Sequence, residues 1–553
     1  MGNQPFTVFE DPFFKPFMDA VNPAYKLPSR KMLAGPLLDS VYSQIKGRSD
    51  EMIRTTSRFI NVSTDESSNI KGSRICNISV HSEYGSMHYV SEDIFAKVMT
   101  ALAEAEWLRN HLIVLSNNDL SRINCIANDT CSTMLSMWAE VEKFEDLRHC
   151  FFIPCDSHGI QLLVKDVFKI PRFKTILEKA QSIVVAFKRA NLQYARLRKC
   201  QIICYKKLQS LVLSVITRWG TQFDLIKSVL INKDALKLYA FEYGELPAAK
   251  RLKQSVLDVI GDNGFWVELE LMREFLKPIN EYLKMSESGK SHLGHVLHRW
   301  KDIFKHLEIK KREFNEVNTF LSDGIFAQRY NRQVLDIHIV AYYLMPQTTL
   351  RDIQNVDFQA RAIPINFEQQ IGKFFRRYSS SEEDAQVLIR EFFCFRSQVH
   401  PFEPTRLCWA QADEPVKFWD AAVGLTKFLG RIAVRLYSCP VNSVASERAF
   451  SVQNLIHTKT RNRLQSKTAD KLAYIYTNGR VIYRVDGKLP LEGLLSKSVK
   501  QLTPQEEVQL ESIMLDMTED SIMEESIGMD NPESEIDDDE DEDELQEYDE
   551  ISF

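Results

Sequence analysis

Apolar and polar positions alternate with a period of two in three neighbouring stretches of this chain. In RFINVSTDES (58–67), Ile60 and Val62 share one face. In RICNISVHS (74–82), Cys76, Ile78 and Val80 share one face, and EYGSMHYV (83–90) follows with a glycine turn. Such alternation marks half-buried strands, and the three together predict a meander. The period then lengthens. Ile94, Val98, Ala101, Leu102 and Ala105 recur at helical spacing, with Ser91 placed as an N-cap and Glu92 and Asp93 in the first turn, so a helix is predicted over 91–108. INCIA (123–127) and FFIPC (151–155) read as short buried strands on either side of a helix at 130–142.

Beyond about residue 170 the strand signal fades. Leu269, Met272, Leu276, Ile279 and Leu283 recur every three or four positions, as do Leu293, Val296, Leu297, Trp300, Phe304 and Leu307. These predict a long helical region with a kink near Pro278. Further helices are read at 416–437 and 443–478. At the other end, Pro12, Pro16, Pro23, Pro28 and Pro36 exclude a long helix before about residue 37. His292, His295 and His298 fall at threes and read as a solvated helix face.

Composition narrows the class. Hydrophobic residues make up 44% and charged residues 26%, the balance of a globular protein. With no apolar run long enough for a membrane span and no basic-then-apolar leader, neither a membrane partner nor secretion is expected. The ten cysteines include no Cys-x-x-Cys pair, which fits a reducing compartment, and no Cys/His set has zinc-finger spacing, so no zinc site is found. The net charge of −7 hides an asymmetry. Residues 501–553 hold 22 of the 76 acidic residues and no Lys or Arg, so 54 acids face all 69 basic residues in residues 1–500, a net +15. A basic body with an acidic terminal segment suits a nucleic-acid binder. The segment 500–553 reads as disordered.

Two carboxylates stand at strand ends. Asp65 stands at the end of the first strand and Asp129 just after INCIA. Two-metal phosphoryl-transfer sites place acidic ligands at such positions, because two cations about 4 Å apart need oxygens converging from different elements. Taken alone, each is equally an Asp capping a turn. Glu66 is a rival to Asp65, but a strand turns neighbouring side chains to opposite faces. Residues 179–223 hold nine basic residues and no acidic one, among them Lys188, Arg189, Arg196, Arg198, Lys199 and Arg218, interleaved with Tyr194, Tyr205 and Trp219. That pattern suits a DNA groove and equally a solvated basic helix face.

The stretch SVASERAFSVQNLIHTKTRNRLQSKTADKLAYIYTN (443–478) closely resembles the C-terminal dimerisation region of hAT transposases, with its Ser-x-x-Ser-Glu-Arg-x-Phe-Ser core and Arg-x-Arg-Leu segment. CDSH (155–158) resembles that family's Cys-x-x-His segment, TRWGTQFDLI (217–226) its Thr-Arg-Trp block, and HIVAYYLMP (338–346) a segment of its helical insertion. The opening residues resemble the DUF659 segment of one hAT branch. The resemblance implies an α/β plus α fold: an RNase H-like mixed-sheet core interrupted by a large all-helical insertion. The divisions expected are a helical N-terminal segment (1–56), the first part of the core (57–169), the insertion (170–425), the dimerisation region completing the core (426–485) and the acidic tail (500–553).

Carried over residue by residue, the resemblance implies a catalytic and metal-binding triad of Asp65, Asp129 and Glu447 holding two Mg²⁺ ions, with Mn²⁺ as a substitute. Glu447 lies 318 residues beyond Asp129, a gap that the helical stretch fills. The resemblance gives Trp219 the holding of an unstacked base, although a core tryptophan fits as well. His158 and Arg448 are further DNA-facing candidates. Expected partners are DNA and a second copy of the chain, or a higher homo-oligomer, and the expected compartment is the nucleus. Active members usually carry an N-terminal BED-type zinc finger, which is not recognisable here. The alternative is therefore a catalytically inactive, transposase-derived protein that dimerises and associates with DNA.

Overall fold

A computed structural model describes residues 6–24, 26–56, 59–68, 74–94, 100–214, 220–354, 363–458 and 464–486. Its centre is a five-stranded mixed sheet in the order β3-β2-β1-β4-β5, formed by β1 (Ile60–Ser68), β2 (Arg74–Ser82), β3 (Gly85–Asp93), β4 (Ile123–Asn128) and β5 (Phe151–Pro154). β1, β2 and β3 pair antiparallel, whereas β4 lies parallel to β1 and β5 parallel to β4. The helices that position the site are α1 (Leu38–Arg54), α2 (Ala101–Leu115), α3 (Ser132–Val141), α4 (Asp156–Val167), α5 (Pro171–Lys188), α6 (Asn191–Tyr205), α7 (Thr221–Ile231), α8 (Lys233–Tyr243), α9 (Asn263–Glu287), α10 (Gly294–Lys310), α11 (Leu429–Ser438), α12 (Val444–Ile456) and α13 (Ser466–Val485).

The predicted alternation on β1 divides the sheet's two faces. Ile60 and Val62, with Ile78 and Val80 of β2, bury into a core with Ala105, Leu108 and Leu112 of α2. The opposite face of β1 is polar, and Asn61 and Ser63 are nevertheless buried. Buried polar groups demand partners, and the C-terminal segment supplies them. Asn61 donates to the Ser438 carbonyl at 3.0 Å, Asn124 to the Arg435 carbonyl at 3.0 Å and Asn77 to the Ser446 carbonyl at 2.9 Å. The Ser63 and Ser446 hydroxyls meet at 2.9 Å. Residues more than 300 positions away in sequence thereby cover the polar face of the sheet.

The last helix among the described residues packs against the edge strand β3. Asn478 of α13 accepts the His88 N–H and donates to the His88 carbonyl, both at 2.8 Å, as a neighbouring strand would. This side chain thus satisfies the backbone of one residue of the edge strand β3. α13 also packs along α1, with Tyr42 edge-on to Tyr474 at 5.2 Å and Lys471 paired to Asp39 at 2.5 Å.

Among the described residues, 170–425 contains helices and no strand, as the periodicity predicts. α9 runs through Pro278 as one helix. A buried ion pair ties α10 to α4, the helix that follows β5: Asp156, at the start of α4, accepts from Arg299 at 2.9 Å and from the Trp300 indole at 2.9 Å.

Three expectations change. Ser91, Glu92 and Asp93 complete β3 and do not open a helix; α2 starts at Ala101, capped by the Thr100 hydroxyl. A helical run begins at Arg30, before Pro36, because residues 33–37 form a π turn that accommodates the proline. His292 and His295 are not a solvated face. Burial lowers both, to about 2 and about 4, and their rings stack at 3.6 Å.

Candidate active site

Three acids from three segments stand within one another's electrostatic field, although their oxygens do not gather as closely as those of a formed metal shell. β1 carries Asp65 near its end, on the polar face; its Oδ1 accepts the Glu66 N–H at 2.9 Å. Asp129 lies one residue past β4, and its Oδ1 accepts the Cys131 N–H at 3.2 Å. The turn-capping role and the convergence therefore coexist in one residue. Glu447 sits in the first turn of α12. Its helix is pinned to the sheet by Ser446, whose hydroxyl also donates to the Ser63 carbonyl at 3.0 Å. Ser443 anchors the preceding turn, donating its N–H to the Cys155 sulfur at 3.3 Å.

The acids feel one another. Burial, then the charge of Asp129, pushes Asp65 up to about 7. Burial, then the charges of Asp65, Glu287 and Asp129, pushes Glu447 up to about 9, while Arg448 opposes the rise. Carboxylates held together in a partly dry site cannot all ionise unless a cation joins them. That is the property required of a divalent-cation site, and oxygen donors from three elements suit a hard ion such as Mg²⁺. His158, in the first turn of α4, stands within the field of Asp129; burial lowers it, and Lys165 and Arg329 add to that against Asp129. The buried Cys155 thiol is pushed up by burial and by the charge of Glu447.

Glu66 faces away from this group, as strand alternation requires. It pairs with Arg74 and accepts from the Cys76 thiol at 2.9 Å.

The other candidates divide. Arg448 is exposed beside Glu447 and lines a cleft of about 460 Å³ together with His81, Ser86, Glu287 and Asn442. Lys188, Arg189, Arg196, Arg198 and Lys199 lie on and between α5 and α6, helices that pack against each other and against α7 and α8, none of which carries an acid of the triad. Lys188, Arg189 and Lys199 are exposed. Arg196 is half-buried, donating to the Lys250 carbonyl at 2.5 Å and lying over Tyr243 at 4.8 Å, and Arg198 lies over Tyr194 at 4.8 Å. Arg218 and Trp219 lie outside the described residues. The next residue, Gly220, donates its N–H to Gln161 at 3.3 Å, one turn along α4 from His158. Gly220 has φ of 71°, and a Cβ there would meet Asn280 Oδ1 at 2.9 Å.

Two acids were not read from the sequence. Glu287 ends α9 and raises Glu447. Glu104 is buried, and burial followed by the charge of Glu66 pushes it up to about 7. Its signal was available: a Glu on the Ala101–Ala105–Leu108 face of an otherwise apolar stripe.

Residues 28–183 match the profile of a domain of unknown function (DUF659), and residues 392–478 match the hAT family C-terminal dimerisation region. No curated protein matches the chain. The two matches support an hAT-family transposase-like protein, and the second supports homodimerisation. The DUF659 match spans the whole sheet, with Asp65 and Asp129, and the dimerisation match contains Glu447.

Proposed function

We propose that this chain is an hAT-type DNA transposase, or a descendant of one, that breaks and joins DNA phosphodiesters with Asp65, Asp129 and Glu447 as its divalent-cation ligands. One observation carries the reading: Asp65 of β1 and Glu447 of α12 are each pushed up by burial and by the charges of neighbouring acids, Asp129 among them in both cases. The sheet order, with three antiparallel strands and two parallel ones, supports an RNase H-like core interrupted between β5 and α12 by the helical region. Mg²⁺, when bound, neutralises the phosphate's charge and polarises the attacking oxygen.

The chain's own residues supply positioning. Ser63, Asn77 and Ser446 fix α12 against β1, so Glu447 meets Asp65 in a set geometry. Arg448 offers a guanidinium to a phosphate at the edge of the site. The exposed Lys188, Arg189 and Lys199 bind flanking DNA through its backbone. A DNA substrate places the protein in the nucleus.

The test is nicking of supercoiled plasmid in Mg²⁺ or Mn²⁺. Wild type is expected to nick, and Asp129→Ala and Glu447→Ala each to lose at least about 10²-fold in rate. Equal cutting by these variants overturns the mechanism. DNA binding and dimerisation without any cutting supports the inactive, transposase-derived alternative.

A further inference from the structure

On the opposite face of β1 from the triad, Glu66, Cys76 and Glu104 bring two carboxylates and a thiol together, with ligand atoms all within 4.8 Å of one another. We propose that this cluster is a second metal site, specific for a zinc-like ion, that ties β1 and β2 to α2.

The placement follows from the fold. Glu66 and Cys76 are direct cross-strand partners on the antiparallel β1–β2 pair, so their side chains emerge side by side on one face. Glu104 descends onto them from the first turn of α2. Cys76 is 2% and Glu104 3% exposed.

The cluster has an unanswered charge. Arg74 pairs with Glu66 at the rim and remains half in solvent. The Oε2 of Glu104 is buried with no hydrogen-bond donor. A buried carboxylate oxygen without a donor is costly, and an ion at the centre of the three groups would satisfy it.

The donor set selects the ion. A thiolate with two carboxylates suits Zn²⁺ and Co²⁺ better than Mg²⁺, which takes oxygen. Tetrahedral bonds of about 2.3 Å to sulfur and about 2.0 Å to oxygen set neighbouring ligand atoms about 3.3–3.5 Å apart, so the side chains, now within 4.8 Å of one another, would close by up to about 1 Å around the ion. Binding releases the thiol proton to solvent, and the fourth position of a tetrahedral shell is left to water. No Cys-x-x-Cys spacing announces such a site, since its ligands come from two strands and a helix.

The site stands apart from the proposed catalysis, and its test reads spectra. Metal-free full-length protein is titrated with Co²⁺. One equivalent is expected to give a thiolate-to-cobalt band in the near ultraviolet and tetrahedral bands in the visible, both abolished by added Zn²⁺. Cys76→Ser is expected to lose the ultraviolet band, and Glu104→Gln to weaken Co²⁺ binding at least tenfold. Asp129→Ala and Glu447→Gln are expected to leave both bands unchanged. Circular dichroism checks that each variant folds; should Cys76→Ser unfold, Glu104→Gln decides. Absence of a band, a band that survives Cys76→Ser, or a band lost with the triad variants overturns the proposal. A failed nicking assay leaves it standing.

Discussion

The sharpest tension in the molecule sits on single side chains. Glu447 is raised to about 9 chiefly by burial. A carboxyl whose folded value exceeds its unfolded one destabilises the fold as pH rises from about 4.5 towards 9. Glu447→Gln should therefore stabilise the metal-free protein at pH 8 by on the order of 2 kcal/mol, while Mg²⁺, which should stabilise wild type, loses its effect on the variant. Thermal melts with and without Mg²⁺ check both; a destabilised variant at pH 8 counts against a shared cation site. Buried histidines act in the opposite pH direction. Burial lowers His88 and His338 to about 4 from 6.5. The unfolded chain binds those protons first, so their stability is whole above about pH 6.5 and is lost as pH falls towards 4. Each contributes on the order of 3 kcal/mol across that window. Urea midpoints at pH 7 and pH 5 should fall accordingly, and an unchanged midpoint would show the two rings to be solvated. The sequence exposes some of this scale and hides the rest. Asp65 and Asp129 are visible because each lies near the end of a periodic stretch, although β1 continues past Asp65 to Ser68. Glu287 is not, because its importance comes from what faces it across the fold; Glu104 shows only as an acid on an apolar helix face.

Elements were most legible where one periodicity ran without interruption. β1, β2, β4, β5 and the helices of 170–425 follow their patterns within a few residues. Reading failed where two signals competed. Ser91 followed by two acids has the chemistry of a helix start, but pairing of Ser91 with Asn77 and of Asp93 with Ile75 holds the segment in β3. Pro36 reads as a break, yet a π turn carries the helix through it. Reach between elements was the least legible. Nothing local says that the polar face of β1 awaits Ser446, or that Asn478 completes β3. These contacts make a specific demand. Ser446→Ala removes the hydroxyl that bridges to Ser63 and should cost about 1–2 kcal/mol. Because α12 then loses its tie beside Glu447, plasmid nicking should slow with DNA affinity unchanged. Loss of affinity with an unchanged rate would place Ser446 outside the positioning of the site.

At the scale of the molecule, the core is completed by sequence that is remote from it. α12 and most of α13 pack on the sheet, carry Glu447 and lie within the dimerisation match of 392–478, so the proposed active site and the self-association region share one segment. The charge distribution adds a second global constraint. The body carries +15 and residues 501–553 carry −22, and opposite charges on one chain meet at high effective concentration. The tail should therefore compete with DNA for the basic helices α5 and α6. Deleting 501–553 should raise affinity for a non-specific duplex by about tenfold or more at low salt, and the difference should shrink as salt screens the tail's contacts. Fluorescence anisotropy across a salt series measures it. Equal affinities of the two proteins at low salt would mean that the tail leaves the basic surface open, and that the body's positive charge is balanced elsewhere.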